Sequence, residues 1–342
     1  MENNKIKLVE YYFKCNKNSD VFQTISERTI KDIDFYELFA YVNRCLSKIG
    51  EQYLFDKLLT IKASTSIDEQ EQLIDLFVNN TEKKTQTGKL LSLLKEHESY
   101  YISNLIFDDY IKPPKWFWLI RICSFLPTLF LILTFFFSKI FILLLVAYIV
   151  NLILHLWNKK NLYIYVDSFS QLLKLCRVVR KLDELNLPID SVLSSLETVE
   201  SQKKRLSIFR FENRGDADLL SLILLFLEHI RIFFLLEPLI AFKVLKFIDE
   251  RRNAIHDLFM YVGKVDSAIS VLSLREEAPY FCKPAILEHF GLAFNSIYHP
   301  LIPECVPNSL KVGEKSVLLT GSNMSGKTTF IRTVAINTLG MR

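Results

Sequence analysis

The residues of this sequence that are best suited to chemistry lie near its end, where two glycines frame a short loop before a lysine and a threonine. The pattern of Gly, four residues and Gly-Lys-Thr is typical of a phosphate-binding loop. Its glycines let the backbone curl so that successive N–H groups face a phosphate. Lys327 would reach the β- and γ-phosphates, and Thr328 would offer its hydroxyl to Mg²⁺. The sequence therefore predicts a site for ATP and Mg²⁺ formed by Gly321, Ser322, Asn323, Met324, Ser325, Gly326, Lys327, Thr328 and Thr329.

Two elements must position such a loop, a strand before it and a helix after it. Residues 316–320 form a short apolar run that we expect to be a buried strand. Residues 329–339 have apolar spacing compatible with a helix, whose N-terminal dipole would favour a bound phosphate. The flanking sequence thus favours a nucleotide site over a glycine turn that happens to precede a lysine.

The composition points to extensive burial or to lipid, since half of the 342 residues are hydrophobic and 27 are Phe. The net charge of +4 is too small to indicate a polyanionic partner by itself. The six cysteines are scattered without metal-ligand spacing, which predicts free thiols in a reducing compartment. The polar start of the chain lacks the features of a signal peptide. We therefore expect the chain to begin in the cytoplasm.

Two long apolar segments follow Pro113 and Pro114. Residues 116–137 carry Arg121 as their only charge, and residues 140–157 carry no formal charge. Each segment is long enough to cross the hydrocarbon core of a bilayer. Lysines flank the outer ends of the pair, so the positive-inside rule places both termini in the cytoplasm. The prediction is a transmembrane hairpin, and the alternative is a hairpin buried in a large soluble core. We expect His155, near the end of the second span, to be interfacial or packed.

The rest of the chain reads mainly as amphipathic helices, over residues 33–101, 163–197 and 254–274. Residues 219–236 are apolar enough for a third span, but Glu228, His229 and Arg231 would be costly in lipid. A buried helix in which Glu228 pairs with Arg231 is therefore favoured there. The basic segment 203–214 favours a solvated face over contacts with phosphates or lipid headgroups.

The pattern changes again after residue 285, to short apolar runs such as Leu292-Ala293-Phe294 separated by proline turns, which is typical of the opening strands of an α/β domain. The predicted fold is mainly α with a two-helix transmembrane hairpin, followed by the opening part of an α/β P-loop domain. The predicted boundaries are residues 1–111, the hairpin 112–160, a helical continuation 161–285 and the P-loop part 286–342.

The loop and several upstream stretches resemble the MutS family of DNA mismatch-repair ATPases. Residues 320–332 are similar to that family's Thr-Gly-Pro-Asn-Met-x-Gly-Lys-Ser-Thr-x-x-Arg, and the Asn-Met pair is more specific than a generic P-loop. Further resemblances are His299-Pro300, Asn308, Gly263-Lys264-Val265-Asp266 with Ser270, Asp32-Ile33-Asp34-Phe35, Asn43-Arg44 and Gly50-Glu51-Gln52-Tyr53-Leu54. The resemblance covers roughly residues 25–342 and is interrupted by the hairpin.

The resemblance implies a MutS-like helical core and lever domain joined to a P-loop ATPase domain that binds ATP and Mg²⁺. It also implies binding of double-stranded DNA and a homodimer of the full-length protein, in which one subunit's signature segment completes the other's ATP site. Ser322 replaces the usual Pro, Thr328 the usual Ser, and Cys305 falls near the place of an adenine-stacking aromatic residue. The mismatch-recognition module of the family has no counterpart in this sequence.

The sequence stops at Arg342 before any Walker B acid, signature segment or catalytic histidine. We therefore expect a chain truncated after the Walker A motif that does not hydrolyse ATP alone. Two alternatives remain. An ABC-type transporter-associated ATPase would have more spans and no Gly-Lys-Val-Asp or His-Pro stretches. A non-catalytic remnant would bind nucleotide weakly or not at all.

Overall fold

The computed structural model describes residues 2–16, 21–62, 67–109, 113–201, 218–285, 291–314, 317–322 and 325–340. Within these ranges the protein is mainly helical, as the sequence predicts, with a few short strands. The helices are α1 (Glu2–Cys15), α2 (Glu27–Asp32), α3 (Phe35–Val42), α4 (Lys48–Leu59), α5 (Ile67–Asn79), α6 (Thr81–Leu91), α7 (Ile102–Phe107), α8 (Phe117–Thr134), α9 (Phe141–Asp183), α10 (Leu193–Glu200), α11 (Asp218–Phe233), α12 (Leu236–Glu250), α13 (Arg252–Glu277) and α14 (Lys327–Gly340). The strands are β1 (Val21–Thr24), β2 (Thr60–Lys62), β3 (Leu292–Ile297) and β4 (Asn308–Val312).

The chain divides into two compact units. The first comprises Met1–Lys89 and Gly263–Arg342, and the second comprises Leu90–Val262. The basic segment 203–214 lies outside the described residues.

An aromatic cluster forms part of the core of the first unit. The ring of Phe55 on α4 meets those of Phe35 and Phe39 on α3 edge-on, with centroid distances of 5.3 and 5.1 Å. The four-residue spacing of the two α3 rings places them on one face of that helix, so both reach α4. Ser47 caps α4 by accepting a 2.9 Å hydrogen bond from the amide of Gly50. The helices predicted here are therefore confirmed, but α4 is buried on all sides from Ile49 to Asp56 rather than along one face.

The strands of the first unit form two separate antiparallel pairs. β1 pairs with β2 in the register Val21↔Lys62, and β3 pairs with β4 in the register Leu292↔Val312. The predicted strand at residues 292–294 is confirmed by β3, which α14 contacts. The side-chain amide of Asn337 on α14 donates a 3.1 Å hydrogen bond to the carbonyl of Tyr298, just beyond β3.

The second unit contains α9, a single helix of 43 residues. The sequence predicted an apolar span and a separate amphipathic helix here, but neither Gly nor Pro interrupts residues 141–183, so one helix continues through both. The predicted apolar face of its second half is buried, as Leu172, Val178 and Leu182 show. The change from an apolar to an amphipathic helix therefore occurs without a break.

Helices α8 and α9 form the predicted hairpin, joined by a 3₁₀ turn at Ser138–Ile140. Residues Phe117–Thr134 and Ser138–Asn158 have mean hydropathies of 1.9 and 2.5 and are long and apolar enough to cross a membrane. Only 11% and 17% of these residues are buried inside the molecule. A hairpin in the core of a soluble protein would be largely covered, so the exposure disfavours that alternative.

The residues that follow form a second helical pair, α11 and α12, joined at Leu235 in a left-handed backbone conformation. Arg231 lies 3.6 Å from Glu237 on α12, and Glu228 lies 3.8 Å from His155 on α9. The sequence predicts Glu228 as the partner of Arg231, and the turn at Leu235 brings Glu237 to it, which the spacing within one helix does not indicate. His155 is buried and therefore packed, one of the two outcomes expected for it.

Candidate nucleotide-binding site

The phosphate loop leads directly into α14, which begins at Lys327. The helix predicted over residues 329–339 is thus confirmed and starts two residues earlier. Of the predicted site residues, Gly321, Ser322, Ser325, Gly326, Lys327, Thr328 and Thr329 are described, whereas Asn323 and Met324 lie outside the described residues. The described residues keep the order that the motif requires, with the glycines before the helix and the lysine at its start.

The side chain of Lys327 folds back into the loop. Its ammonium group donates hydrogen bonds to the carbonyls of Gly321 at 2.6 Å and Ser322 at 2.5 Å, and it lies 3.5 Å from the hydroxyl of Ser325. A cation is therefore held inside the curve of the loop by weak neutral acceptors. An anionic oxygen would be a stronger partner for the same ammonium group.

Two glycines make this curve possible. Gly326 has φ of +81°, in the left-handed region that side chains disfavour. A Cβ on Gly321 would lie 2.7 Å from the hydroxyl oxygen of Ser325, which the loop brings back toward its own beginning. Both motif glycines thus have a conformational or steric reason within the loop.

The first turn of α14 provides donors beside the ammonium group. The first N–H groups of a helix have no acceptor within it, and the helix dipole makes this end partly positive. Thr328 is exposed on this turn, so its hydroxyl is accessible. Backbone donors, an ammonium group and an accessible hydroxyl are the groups that a nucleotide phosphate with Mg²⁺ needs. The residues present therefore fit the predicted cofactor.

The prediction of a strand before the loop is wrong over residues 317–320. Residues 317–320 have no strand conformation, and residues 315 and 316 lie outside the described ranges. Leu318 is 86% exposed and Val317 is 56% exposed, so the apolar run is not buried. A strand requires a hydrogen-bonded neighbour, and the strands described pair only as β1 with β2 and β3 with β4. The apolar pattern alone did not supply that partner.

A cleft of about 480 Å³ lies next to α14 within the first unit, lined by Asp34, Glu37, His299, Leu301, Ile302, Thr329 and Arg332. Arg332 on α14 forms an ion pair with Asp34, which precedes α3. The charged ends of this pair are partly exposed, so the pair fixes an orientation more than it adds stability. The cleft therefore lies between the helix after the loop and the start of α3.

His299 in this cleft is held neutral. Burial lowers the pKa of His299 below its ordinary value of 6.5, the Arg332 guanidinium lowers that pKa further, and the carboxylate of Asp34 opposes the shift. The amide of Leu301 donates to Nδ1 of His299 at 3.3 Å, which requires that nitrogen to be unprotonated. The resemblance marked His299 without indicating these partners.

A buried carboxylate on α13 fastens the start of α4. Asp266 accepts hydrogen bonds from the amides of Leu46 and Ser47 at 2.9 and 2.8 Å and from the hydroxyl of Ser47 at 2.5 Å. One turn further along α13, Ser270 accepts from the amide of Arg44 at 2.9 Å. The Gly-x-x-Asp-x-x-x-Ser stretch therefore acts as a structural clasp through the polar groups of α13 and the backbone before α4.

Two glycines allow the clasped helices to approach closely. A Cβ on Gly50 would overlap the carboxylate of Asp266, and a Cβ on Gly263 would overlap the ring of Tyr53. These contacts relate residues more than two hundred positions apart. Spacing within the sequence therefore could not predict these contacts. The two stretches that make them were identified only by their resemblance to the MutS family.

The site thus defines a mainly helical protein with a glycine-rich loop at a helix N-terminus. No family model matches the chain. Part of it is similar to DNA mismatch repair protein MutS of Persephonella marina, with 38% identity over 81 residues that cover 22% of the chain and 9% of that protein. DNA mismatch repair protein MutS of Leptospira interrogans (serovar copenhageni) is 34% identical over 86 residues, which cover 22% of the chain and 10% of that protein.

The matched residues amount to about a tenth of the length of these curated relatives. These partial matches support a MutS-like relationship.

Proposed function

We propose that this chain is a MutS-like, membrane-anchored protein whose phosphate loop binds ATP with Mg²⁺ and whose helical part binds double-stranded DNA. The observation that carries the nucleotide part is the position of Lys327, whose ammonium group lies inside the glycine loop at the start of α14. In this proposal Lys327 contacts the β- and γ-phosphates and Thr328 contributes its hydroxyl to Mg²⁺. The backbone from Ser322 to Gly326 surrounds the phosphates. The proposed activity is binding.

Binding of a fluorescent ATP analogue to the full chain in detergent micelles tests this part. Lys327→Ala should weaken binding at least tenfold, since a lost charge-assisted hydrogen bond costs on the order of 1.5–3 kcal/mol. Lys311→Ala, on the exposed surface of β4, is the matched control and should bind as the unmodified chain does. Equal weak binding by all three proteins would instead favour a non-catalytic remnant.

The role of Mg²⁺ is tested separately. Thr328→Val removes the proposed ligand and should reduce the difference in affinity measured with Mg²⁺ and with EDTA. Thr338→Val removes a hydroxyl whose partner is the carbonyl of Val334 within the same helix, so it should leave that difference unchanged. An unchanged difference in Thr328→Val would assign the metal contact to other groups.

The membrane part of the proposal is supported by the exposed apolar surface of α8 and α9. With lysines at both outer ends of the hairpin, both termini lie in the cytoplasm. Tags placed before residue 2 and after residue 340 should be protected from protease in intact cells and cleaved after lysis. A larger number of spans found by the same assay would favour an ABC-type transporter-associated ATPase.

The DNA part is supported by the similar proteins, which are DNA mismatch repair proteins. A gel-shift titration with duplex DNA at several salt concentrations tests it, because neutralised phosphates give affinity a steep salt dependence. Absence of a gel shift at low salt would remove DNA from the proposal.

Cross-linking in the presence and absence of an ATP analogue tests whether two copies pair as the resemblance implies.

A further inference from the structure

Asn151 on α9 joins three elements of the second unit. Its side-chain amide donates one hydrogen bond to the carbonyl of Cys123 on α8 at 3.1 Å and another to the carbonyl of Phe233 at the end of α11 at 2.8 Å. The residue is only 1% exposed. Both hydrogens of one buried amide are thus used to connect the hairpin to the turn between α11 and α12.

Each of the two carbonyls lacks a donor in its own helix. Pro127 lies inside α8 and has no N–H group, so it removes the bond that residue 127 would make to the carbonyl of Cys123. Phe233 is the last residue of α11, where carbonyls have no intrahelical partner. In water such groups would be hydrated, whereas in an apolar environment a side chain must satisfy them.

The position of Asn151 along the hairpin places this contact inside the apolar segment. The ring centroids of Trp116 and Trp157 lie 4.8 Å apart, which brings the start of α8 and the end of the apolar part of α9 to one level, and Trp is enriched at membrane interfaces. Asn151 lies about 9 Å along the helix from Trp157, and Cys123 lies about 10 Å from Trp116. The turn, whose Phe233 carbonyl accepts from Asn151, is therefore well inside that level.

Further contacts give the depth of the neighbouring residues. The ring of His229 on α11 stacks on that of Tyr148 on α9, with ring centroids 6.3 Å apart. Tyr148 lies nearer than Asn151 to the tip of the hairpin at Ser138–Ile140, so His229 is deeper than the turn. Helix α12 leads from the turn back toward the open end, where the ring centroids of Phe242 and Phe117 lie 5.0 Å apart.

Three ionisable side chains near the turn are shielded and close to one another, as a low-dielectric setting requires, whereas Glu228 is 38% exposed and lies 3.8 Å from Nε2 of His155. Glu237 lies 3.6 Å from Arg231 and 3.3 Å from Nδ1 of His155, and these three side chains are 9%, 12% and 3% exposed. Large apolar side chains remain on the outside, at Phe226 and Leu227 on α11 and at Phe234 on the turn. Their apolar surface continues that of the hairpin.

We propose that the turn between α11 and α12 is a third membrane-embedded element, which lies in the bilayer beside the hairpin and contacts lipid acyl chains through Phe234. Asn151 holds it there through the carbonyls of Cys123 and Phe233. This inference rests on the proposed membrane anchoring by α8 and α9. Helix α12 leads from the turn back to the level from which the hairpin enters.

Quenching of tryptophan fluorescence by lipids brominated on their acyl chains tests the inference in the full chain reconstituted into vesicles. Trp116, Trp118 and Trp157 are replaced by Phe, and single reporters are introduced as Phe234→Trp, Phe125→Trp and Phe22→Trp. Phe125 is 64% exposed in the middle of α8, and Phe22 is 77% exposed in the first unit. We expect comparable losses of emission for the reporters at positions 234 and 125 and none at position 22.

The outcomes separate the two proposals. Quenching at position 125 without quenching at position 234 would overturn the embedded turn and leave the anchoring intact. No quenching at position 125 would overturn the anchoring, and the embedded turn with it.

A second variant tests whether the hydrogen bonds of Asn151 hold the turn in place. Asn151→Leu, combined with Phe234→Trp, should reduce the quenching at position 234, whereas Asn104→Leu on α7 should not. Unchanged quenching in Asn151→Leu would show that Asn151 does not hold the turn.

Discussion

The carboxylate of Asp266 accepts a 2.8 Å hydrogen bond from the backbone amide of Ser47, a residue 219 positions earlier in the chain. The hydroxyl of Ser47 donates to the same oxygen and also accepts from the amide of Gly50. One buried carboxylate on α13 therefore anchors the residue that caps α4. The clasp makes the start of α4 depend on a helix from the far end of the sequence.

The clasp predicts a specific pH dependence of stability. Burial raises the pKa of Asp266 to about 6, and the hydrogen bonds from Ser47 and Leu46 limit the rise. Because the pKa in the folded chain exceeds that in the unfolded chain, the stability that this group contributes is complete at low pH and is lost as pH rises through about 6. The loss should approach 3 kcal/mol, on the order expected for a shift of two pKa units.

The measurement is the free energy of unfolding in detergent micelles between pH 4 and pH 8, compared with that of Asp266→Asn. The other carboxylates titrate in both proteins, so the difference isolates Asp266. That difference should fall with rising pH and level off above pH 6. Parallel curves for the two proteins would contradict the assigned pKa.

The close approach of α4 and α13 predicts that alanine is not tolerated at either contact glycine. Gly50→Ala and Gly263→Ala should each lower the free energy of unfolding by about 1–3 kcal/mol, because the new Cβ overlaps Asp266 or Tyr53. Gly340→Ala is the control, since nothing lies within 4 Å of its Cβ position and alanine favours helices. Equal effects at all three positions would show that helix propensity, rather than overlap with Asp266 or Tyr53, determines the change in the free energy of unfolding.

The charges in the cleft beside α14 predict that two substitutions shift the pKa of His299 in opposite directions. Arg332→Gln should raise the pKa of His299, because the guanidinium lowers it, and Asp34→Asn should lower that pKa further. NMR titration of the imidazole resonances measures both shifts, with Arg251→Gln on the exposed surface of the second unit as a control. Shifts of the same sign in the two variants would refute the assigned arrangement.

His299 also predicts a loss of stability in acid. Its pKa is lower in the folded chain than in the unfolded chain, so its contribution is present above the unfolded value of 6.5 and is lost as pH falls through the folded value. His299→Gln should remove this part of the acid dependence. Denaturation curves between pH 5 and pH 8 measure it, and an unchanged acid dependence in the variant would argue against a buried neutral imidazole.

The shared carbonyl of Cys123 predicts coupling between Pro127 and Asn151. Asn151→Leu should cost about 1–3 kcal/mol, because it leaves buried carbonyls without a donor. In a Pro127→Ala background the cost should be smaller, since the new N–H group can bond to the carbonyl of Cys123. A double-mutant cycle on thermal unfolding measures the coupling energy, and strict additivity would contradict the shared acceptor.

Local patterns in the sequence indicated most of the helices and the order of residues in the predicted phosphate loop. Periodicity indicated the buried face of α9 at Leu172 and Val178, and apolar length indicated α8 and the start of α9, because both are properties of neighbouring residues. The glycines of the loop were identified by spacing alone. A helix and a tight loop complete most of their hydrogen bonds within a few residues, so a local pattern can determine them.

Only the tertiary structure decided features that depend on distant partners. Residues 317–320 have the composition of a strand, but none of the strands in the described part of the chain pairs with them, so composition predicted the wrong conformation there. The pairs Asp266 with Ser47, Arg332 with Asp34 and Asn151 with Phe233 join helices whose relative positions no periodicity specifies. The sequence by itself determined which groups could bind a phosphate or enter a membrane, and packing between distant helices decided which of them meet.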